Sequence, residues 1–251
     1  MLRICYILQH FYYSKKNPGC EINMCPPSDL ASANRNPSPP RPDIVAVLRQ
    51  SQICESAYKH AASLLAPAIL NHSIRVYLYA KALAEHTSSA YATDPSKQDL
   101  LFTACLFHDI GTTSAYDGPQ RFEVEGADAA VKHLSQYRVS NVDLNEVWTA
   151  IALHTSPGIA ERIGELSRIL RVAVITDFGQ ESMYYDTLVP LREELEGAFQ
   201  RASIEQVLCD AVVAQAKQRP EKAPMVSWPG VLYEAWLAKP DRDADNKAFR
   251  G

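Results

Sequence analysis

The chain has 251 residues, 47% of them apolar and 22% charged, with a formal net charge of −4 at pH 7. That is enough apolar material for a sizeable core in one large or two small domains, and the mildly acidic balance, with no basic stripe interleaved with aromatics, argues against a nucleic-acid partner. No window approaches the ~18 to 20 consecutive apolar residues of a membrane span, so no membrane partner is expected either.

Residues 1 to 13 hold a short apolar run, Ile4 to Leu8, behind one arginine. It is too short for a secretory core, and no small-residue cleavage site follows. Cys20 and Cys25 have zinc-like spacing but no second pair, which leaves a structural zinc there unsupported. Residues 17 to 42 are rich in Pro, Ser and Asn and end Pro37-Ser38-Pro39-Pro40-Arg41-Pro42. Such a stretch buries too little surface to offset its ordering entropy, so residues 1–42 are expected to be disordered or an extension unrelated to the fold. The folded domain is expected over 43–240, with a polar tail at 241–251.

Ser51 to Ala66 reads as a helix broken by Pro67. Asn71 is placed to cap the next helix, where Ile74, Tyr77, Leu78, Lys81 and Ala82 keep helical spacing and His72 lies in the first turn. A Thr93-Asp94-Pro95-Ser96 turn precedes the most informative stretch. There Leu100, Leu101, Ala104, Cys105 and Phe107 cover most of a helical surface, so this helix is buried by its neighbours; it ends in His108-Asp109 with Gly111 as a stop. Two adjacent metal-binding side chains at the end of an apolar helix are costly unless something binds them, and a divalent cation is the simplest partner.

Thr112 to Gln120 reads as a loop, followed by a helix through Gly126, Ala130 and Leu134. Asp143 with Glu146 forms a capping-box variant that opens a helix carrying Val147, Ile151 and His154. Ser167 is read as the cap of Arg168 to Phe178, with Leu170, Val174 and Asp177 near one face and Gly179 as its stop. Helical patterns resume at 188–199 and 204–217. Trp228-Pro229-Gly230 reads as a turn before a short helix over 231–238. With no trustworthy alternating pattern and no internal repeat, the fold class is all-α, a single helical domain. Cys54, Cys105 and Cys209 lie in apolar helical patterns as free thiols do, which fits a reducing, cytoplasmic compartment.

His72, His108-Asp109 and Asp177 fall on or at the ends of three otherwise apolar helices, and His154 on a fourth. Helix bundles build metal sites this way, aiming ligands from several helices at one interior point. The order His, His-Asp, Asp on an all-helical scaffold resembles the HD-domain metalloenzyme superfamily. More narrowly, Asn71-His72-Ser73-Ile74-Arg75-Val76-Tyr77, the run Ala104 to Thr113, Arg121-Phe122-Glu123 with Gly126-Ala127, and Ala150-Ile151-Ala152-Leu153-His154-Thr155 are similar to the cyanamide hydratase family. The likeness covers roughly residues 44 to 240 and implies an HD-type helical bundle with its metal in the core.

Carried over by position, the resemblance implies that His72, His108, Asp109 and Asp177 hold one divalent metal, with zinc expected and iron an alternative; a nitrogen–oxygen ligand set does not itself choose between them. Two-metal members of the superfamily place a further His where this chain has Phe122, so a single metal is expected, although His154 matches the other His of such sites. Many phosphohydrolase members carry a Lys after the His-Asp-x-Gly turn, where this chain has Thr112-Thr113; a small uncharged nitrile is therefore the expected substrate, hydrated to urea in the case of cyanamide. Glu123, His154, Thr112 and Thr113 are the candidates for moving protons, unranked by sequence. The resemblance is also compatible with a homo-oligomer.

The plainer readings stand beside these. Glu123 could be a helix-start acid complementing the dipole, His154 a core hydrogen-bonder, and Arg75 a solvated residue or a carboxylate's structural partner, the structural role being favoured. His133 reads as a surface residue, His10, His60 and His86 carry no signal, and Trp228 and Trp236 are expected to close the core. Three rival functions remain. An HD phosphohydrolase acting on a nucleotide or other small phosphate ester would need cations beyond Arg75, Arg121 and Lys132. A di-iron oxygenase would need two metals. A degenerate interaction module sits poorly with a full set of ligands.

Overall fold

The computed structural model describes residues 51–238; the extension, the expected order from Asp43 and the polar tail lie outside them. The molecule is built around the helix the sequence singled out. Here α1 is Gln52–Leu64, α2 Pro67–His86, α3 Ala90–Thr93 and α4 Pro95–Phe107. Asp94 caps α4 by accepting from the Ser96 amide, with Pro95 in the first turn, and every residue from Leu100 to Phe107 is buried. A helix with no polar face is stable only when enclosed. Its wrappings are α1, α2 and α3 together with α5 (Phe122–Leu134), α6 (Asn141–Leu153) and α8 (Glu165–Asp177). The rest comprises α7 (Ala160–Ile163), α9 (Tyr185–Leu188), α10 (Arg192–Ala198), α11 (Ile204–Gln218) and α12 (Trp228–Leu237), with α11 resting on α2 and α12 on α11. Among the described residues there is no strand, and no helix is long and apolar enough to cross a membrane.

Several ends differ from the sequence reading, each for a local reason. α2 begins at Pro67, whose fixed φ suits the first helical position and whose missing N–H costs nothing there. Asn71 therefore lies inside the helix, where its amide donates to the Gln200 carbonyl (3.0 Å), and His72 sits in the second turn. Ser140, three residues before Asp143, caps α6 by accepting from the Asp143 amide, while Asp143 and Glu146 are taken up by Lys97 at 2.7 and 3.0 Å. α8 starts at Glu165 behind Gly164, leaving Ser167 inside it. Gly179, at φ 74°, does mark the end, its N–H donating to the Thr176 carbonyl.

Trp228-Pro229-Gly230 is the first turn of α12 rather than a turn before it: Ser227 accepts from the Gly230 amide (3.1 Å) and Pro229 occupies an N-terminal position. Within the expected loop, Ile110–Thr112 and Ser114–Tyr116 form short 3₁₀ turns. His133 is buried beside Phe107, not on the surface, with ring centroids 5.2 Å apart. His60, without signal in the sequence, shares a 2.6 Å hydrogen bond with the Tyr116 hydroxyl. Trp228 packs against the core as expected, and Trp236 lies under the Lys217 ammonium (4.7 Å to the ring centre).

Candidate metal centre

α4 ends at Phe107, so His108 and Asp109 sit where its backbone leaves the helix and turns into Ile110–Thr112. That turn is pressed against the start of α5. A Cβ on Gly111 would lie 2.0 Å from the Phe122 carbonyl oxygen, and one on Gly126 would lie 2.9 Å from the Phe107 carbonyl oxygen. Only glycine allows this approach, which aims His108 and Asp109 between α2, α5, α6 and α8. His72 comes from the second turn of α2, Asp177 from the last residue of α8 and His154 from the residue after α6. All five side chains are buried.

Hydrogen bonds fix the faces of three imidazoles. His108 Nδ1 is 2.8 Å from the Cys105 carbonyl oxygen and His154 Nδ1 is 2.7 Å from that of Ile151, and a carbonyl can only accept. His72 Nδ1 is 2.7 Å from Asp177 Oδ2. With Nδ1 donating in each ring, the neutral imidazole turns an Nε2 lone pair inward. Those atoms surround one carboxylate: His108 Nε2 lies 3.2 Å and His72 Nε2 3.6 Å from Asp109 Oδ2, and His154 Nε2 lies 3.6 Å from Asp109 Oδ1. His72 Nε2 and His108 Nε2 are themselves 3.2 Å apart.

Both Asp109 oxygens are buried with no hydrogen-bond partner. A buried carboxylate without donors, facing lone pairs, is an uncompensated negative site, and a cation is what it lacks. His72, His108 and Asp109 can each offer a ligand atom within 4.8 Å of the others, and among the described residues no second such group of three occurs. The donor set thus fits a divalent ion bound by imidazole and carboxylate.

If no ion supplies it, the positive charge that Asp109 lacks has to come from a proton on an imidazole. Burial opposes ionisation of Asp109, but the neighbouring imidazoles, His108 first, outweigh it and hold the carboxyl well below its usual range. Burial likewise opposes charge on His108, yet Asp109 raises its pKa, whereas for His72 burial prevails and lowers it. Asp177 resists burial through Arg75 and then His72, and its pKa too is held low.

The remaining candidates separate. Glu123, near the start of α5, is fully buried; its Oε1 accepts from the Thr155 hydroxyl (2.7 Å), while Oε2 has no hydrogen bond and lies 3.8 Å from Arg121 Nε. Burial raises its pKa against the opposing charges of His154 and Arg121. Thr112 and Thr113 give their hydroxyl protons to the Asp109 and Ile110 carbonyls, each at 2.7 Å, and so serve the turn. Phe122, in the position of the further His, is buried edge-on to His154 with ring centroids 5.8 Å apart.

Asp177 is not one of that group of three. Its two oxygens are occupied from behind by Arg75, fully buried, with Nε to Oδ1 at 2.7 Å and Nη2 to Oδ2 at 2.8 Å. Arg75 is therefore the carboxylate's partner rather than a solvated residue, and its spacing of three from His72 on one helix face was the signal for it. Thr155 had no role in the sequence reading; as a small polar residue after His154 it carried no signal.

Comparison with known proteins agrees with this architecture. Residues 69–178 match the family model of the HD domain. Two proteins of Saccharomyces cerevisiae (strain ATCC 204508 / S288c), Cyanamide hydratase DDI2 and Cyanamide hydratase DDI3, are each similar to this chain, 28% identical over an alignment of 161 residues that covers 62% of this chain and 70% of theirs.

Proposed function

We propose, from an HD-type helical scaffold similar to two yeast cyanamide hydratases, that this chain is a metal-dependent hydro-lyase adding water to the nitrile of cyanamide or a related small nitrile. The observation that carries it is the Asp109 carboxylate, buried without a hydrogen bond among three imidazole lone pairs. In this reading His72, His108 and Asp109 hold one divalent ion, with zinc first and iron second among the choices. Such an ion lowers the pKa of a bound water and polarises an electron-rich substrate atom.

The chain's own groups supply the proton steps. His154 Nε2, fixed as an acceptor by the Nδ1 bond to Ile151, takes a proton from the attacking water as its oxygen bonds to the nitrile carbon. Glu123, whose raised pKa favours the protonated acid, delivers a proton from Oε2 to the nitrile nitrogen while Thr155 holds Oε1. The isourea tautomerises to urea, and return of the proton from His154 to Glu123 resets the site. One water is consumed, and both its hydrogens leave in the product.

An uncharged substrate is supported by the cations nearby, which are already engaged. Arg75 is taken up by Asp177, and Arg121 faces Glu123 and donates to the Ala152 carbonyl (3.3 Å). Lys132 points to solvent. Purified protein is assayed for urea formation from cyanamide beside phosphate release from a panel of nucleoside monophosphates, with metal content measured on the same sample. The expected result is metal-dependent urea formation that falls to background in His108→Ala together with bound metal. Phosphate release without urea, or full urea formation by a metal-free variant, overturns the reading.

A further inference from the structure

We infer that Arg171 is a positioning residue for the proposed reaction: from α8 it holds the backbone at His154 and the turn that follows, and so places the two groups that move protons, His154 directly and Glu123 through Thr155. This deepens the reading above and rests on the roles given there to His154 and Glu123. His154 is the residue after α6, and a carbonyl at a helix end is among the last that find no donor within the helix. Arg171 supplies one, Nη1 donating to the His154 carbonyl at 3.1 Å while Nε donates to Glu161 Oε1 at 3.3 Å. The Arg171 side chain is only 14% exposed, so its charge is tolerated there because Glu161 answers it.

Glu161, on α7, carries the hold to the far end of the turn. Its Oε2 accepts from the Gly158 amide at 2.6 Å; Gly158 stands at φ 80°, and its carbonyl accepts from Arg162 Nη1 at 2.8 Å. The stretch 154–158 is thus pinned at both ends, by the guanidinium at His154 and by its counter-ion at Gly158. Within that stretch Thr155 gives its hydroxyl proton to Glu123 Oε1, and the His154 ring is set by the bond from Nδ1 to the Ile151 carbonyl. Those two bonds decide how each side chain turns, whereas Arg171 decides where the backbone carrying them lies. Reaction geometry is exacting, a misplacement of about 1 Å being able to cost about 100-fold in rate.

The test uses the full chain, loaded with zinc and labelled with heavy nitrogen at its histidines for NMR. The ring signals of His154, identified by their loss in His154→Gln, are expected in the parent as one sharp set with the proton on Nδ1. In Arg171→Met they are expected to broaden or divide, while kcat for urea formation falls about 10- to 100-fold and KM and bound zinc stay near parental. Arg171→Lys keeps the charge but not the fork and is expected to recover only part of kcat. Parental His154 signals in folded Arg171→Met, a parental kcat there, or full recovery by Arg171→Lys overturns the inference. If Arg171→Met does not fold, Glu161→Ala, on the short α7, releases the fork and Gly158 together and is read in the same way. A parent that forms no urea refutes the proposed reaction alone, and the His154 signals still decide whether Arg171 holds the segment.

Discussion

At the residue scale, the centre depends as much on what is missing from Gly111 as on what its neighbours carry. The Ile110–Thr112 turn meets α5 backbone to backbone, and a methyl at Gly111 would sit 2.0 Å from the Phe122 carbonyl oxygen and 2.9 Å from the Gly126 nitrogen. Neither atom belongs to a side chain that can rotate away. Gly111→Ala is therefore expected to destabilise the protein by roughly 2 kcal/mol or more and to displace Asp109. Denaturant unfolding and zinc titration measure the two effects; an alanine variant with parental stability and affinity would contradict this account. The sequence made His72, His108 and Asp109 legible because ligands and apolar helices coincide there. It grouped Asp177 with them but gave no sight of how Arg75 meets that carboxylate, since spacing gives the face a side chain occupies and not the partners that reach it. Nor could it rank the two threonines, whose hydroxyls are drawn off by carbonyls three residues back.

At the element scale, the turn that carries the His-Asp pair is stapled by the C-terminal helices. Gln215 on α11 donates to the Gly111 carbonyl (2.9 Å), and just beyond, Arg219 and the buried Lys222 both reach Asp117, Lys222 also donating to the Gly118 carbonyl (2.9 Å). Burial opposes ionisation of Asp117, but Lys222 and Arg219 prevail and hold its pKa below the ordinary 3.8. A depressed carboxylate pKa gives stability that is fully present above the ordinary value and is lost as pH falls from there through the folded value. Asp117→Asn should thus cost about 2 kcal/mol near neutrality, the worth of a hydrogen bond to a charged group, with the gap to the parent closing below about pH 4. Parallel chemical denaturation at pH 7 and pH 3.5 reads this; a gap independent of pH would contradict it. None of this staple was visible in the sequence, because its two sides are about 100 residues apart. Helix existence was legible and helix starts were less so. Where two capping chemistries competed, Pro67 over Asn71 and Ser140 over Asp143, the choice followed which residue the packed helix could extend back to.

At the scale of the whole molecule, the side chains facing the centre come from α2, from the end of α4 and from the end of α6, so a bound ion ties together segments scattered along the fold. An ion that binds the folded chain and not the unfolded one adds about 2.7 kcal/mol at 100 times its dissociation constant. For a domain of this size that corresponds to roughly 5 to 10 °C in melting temperature. Removing metal with a chelator should lower the melting temperature by that much and zinc should restore it, as read by calorimetry; identical melting with and without metal would mean that the cluster does not hold an ion in the native state. The overall all-α reading followed from a succession of helical patterns with no trustworthy alternating stretch, and the apolar central helix required neighbours to enclose it.

That same α4 has a bearing on how the chain is made. Its greasy rod emerges from the ribosome complete at Phe107, yet α8, one of the helices that covers it, ends only at Asp177, about 70 residues later. Throughout that interval of synthesis α1, α2 and α3 can already sheathe one side of the cylinder, while the side that α5, α6 and α8 will take stays bare, the kind of surface holdase chaperones bind until the last stave is laid against it.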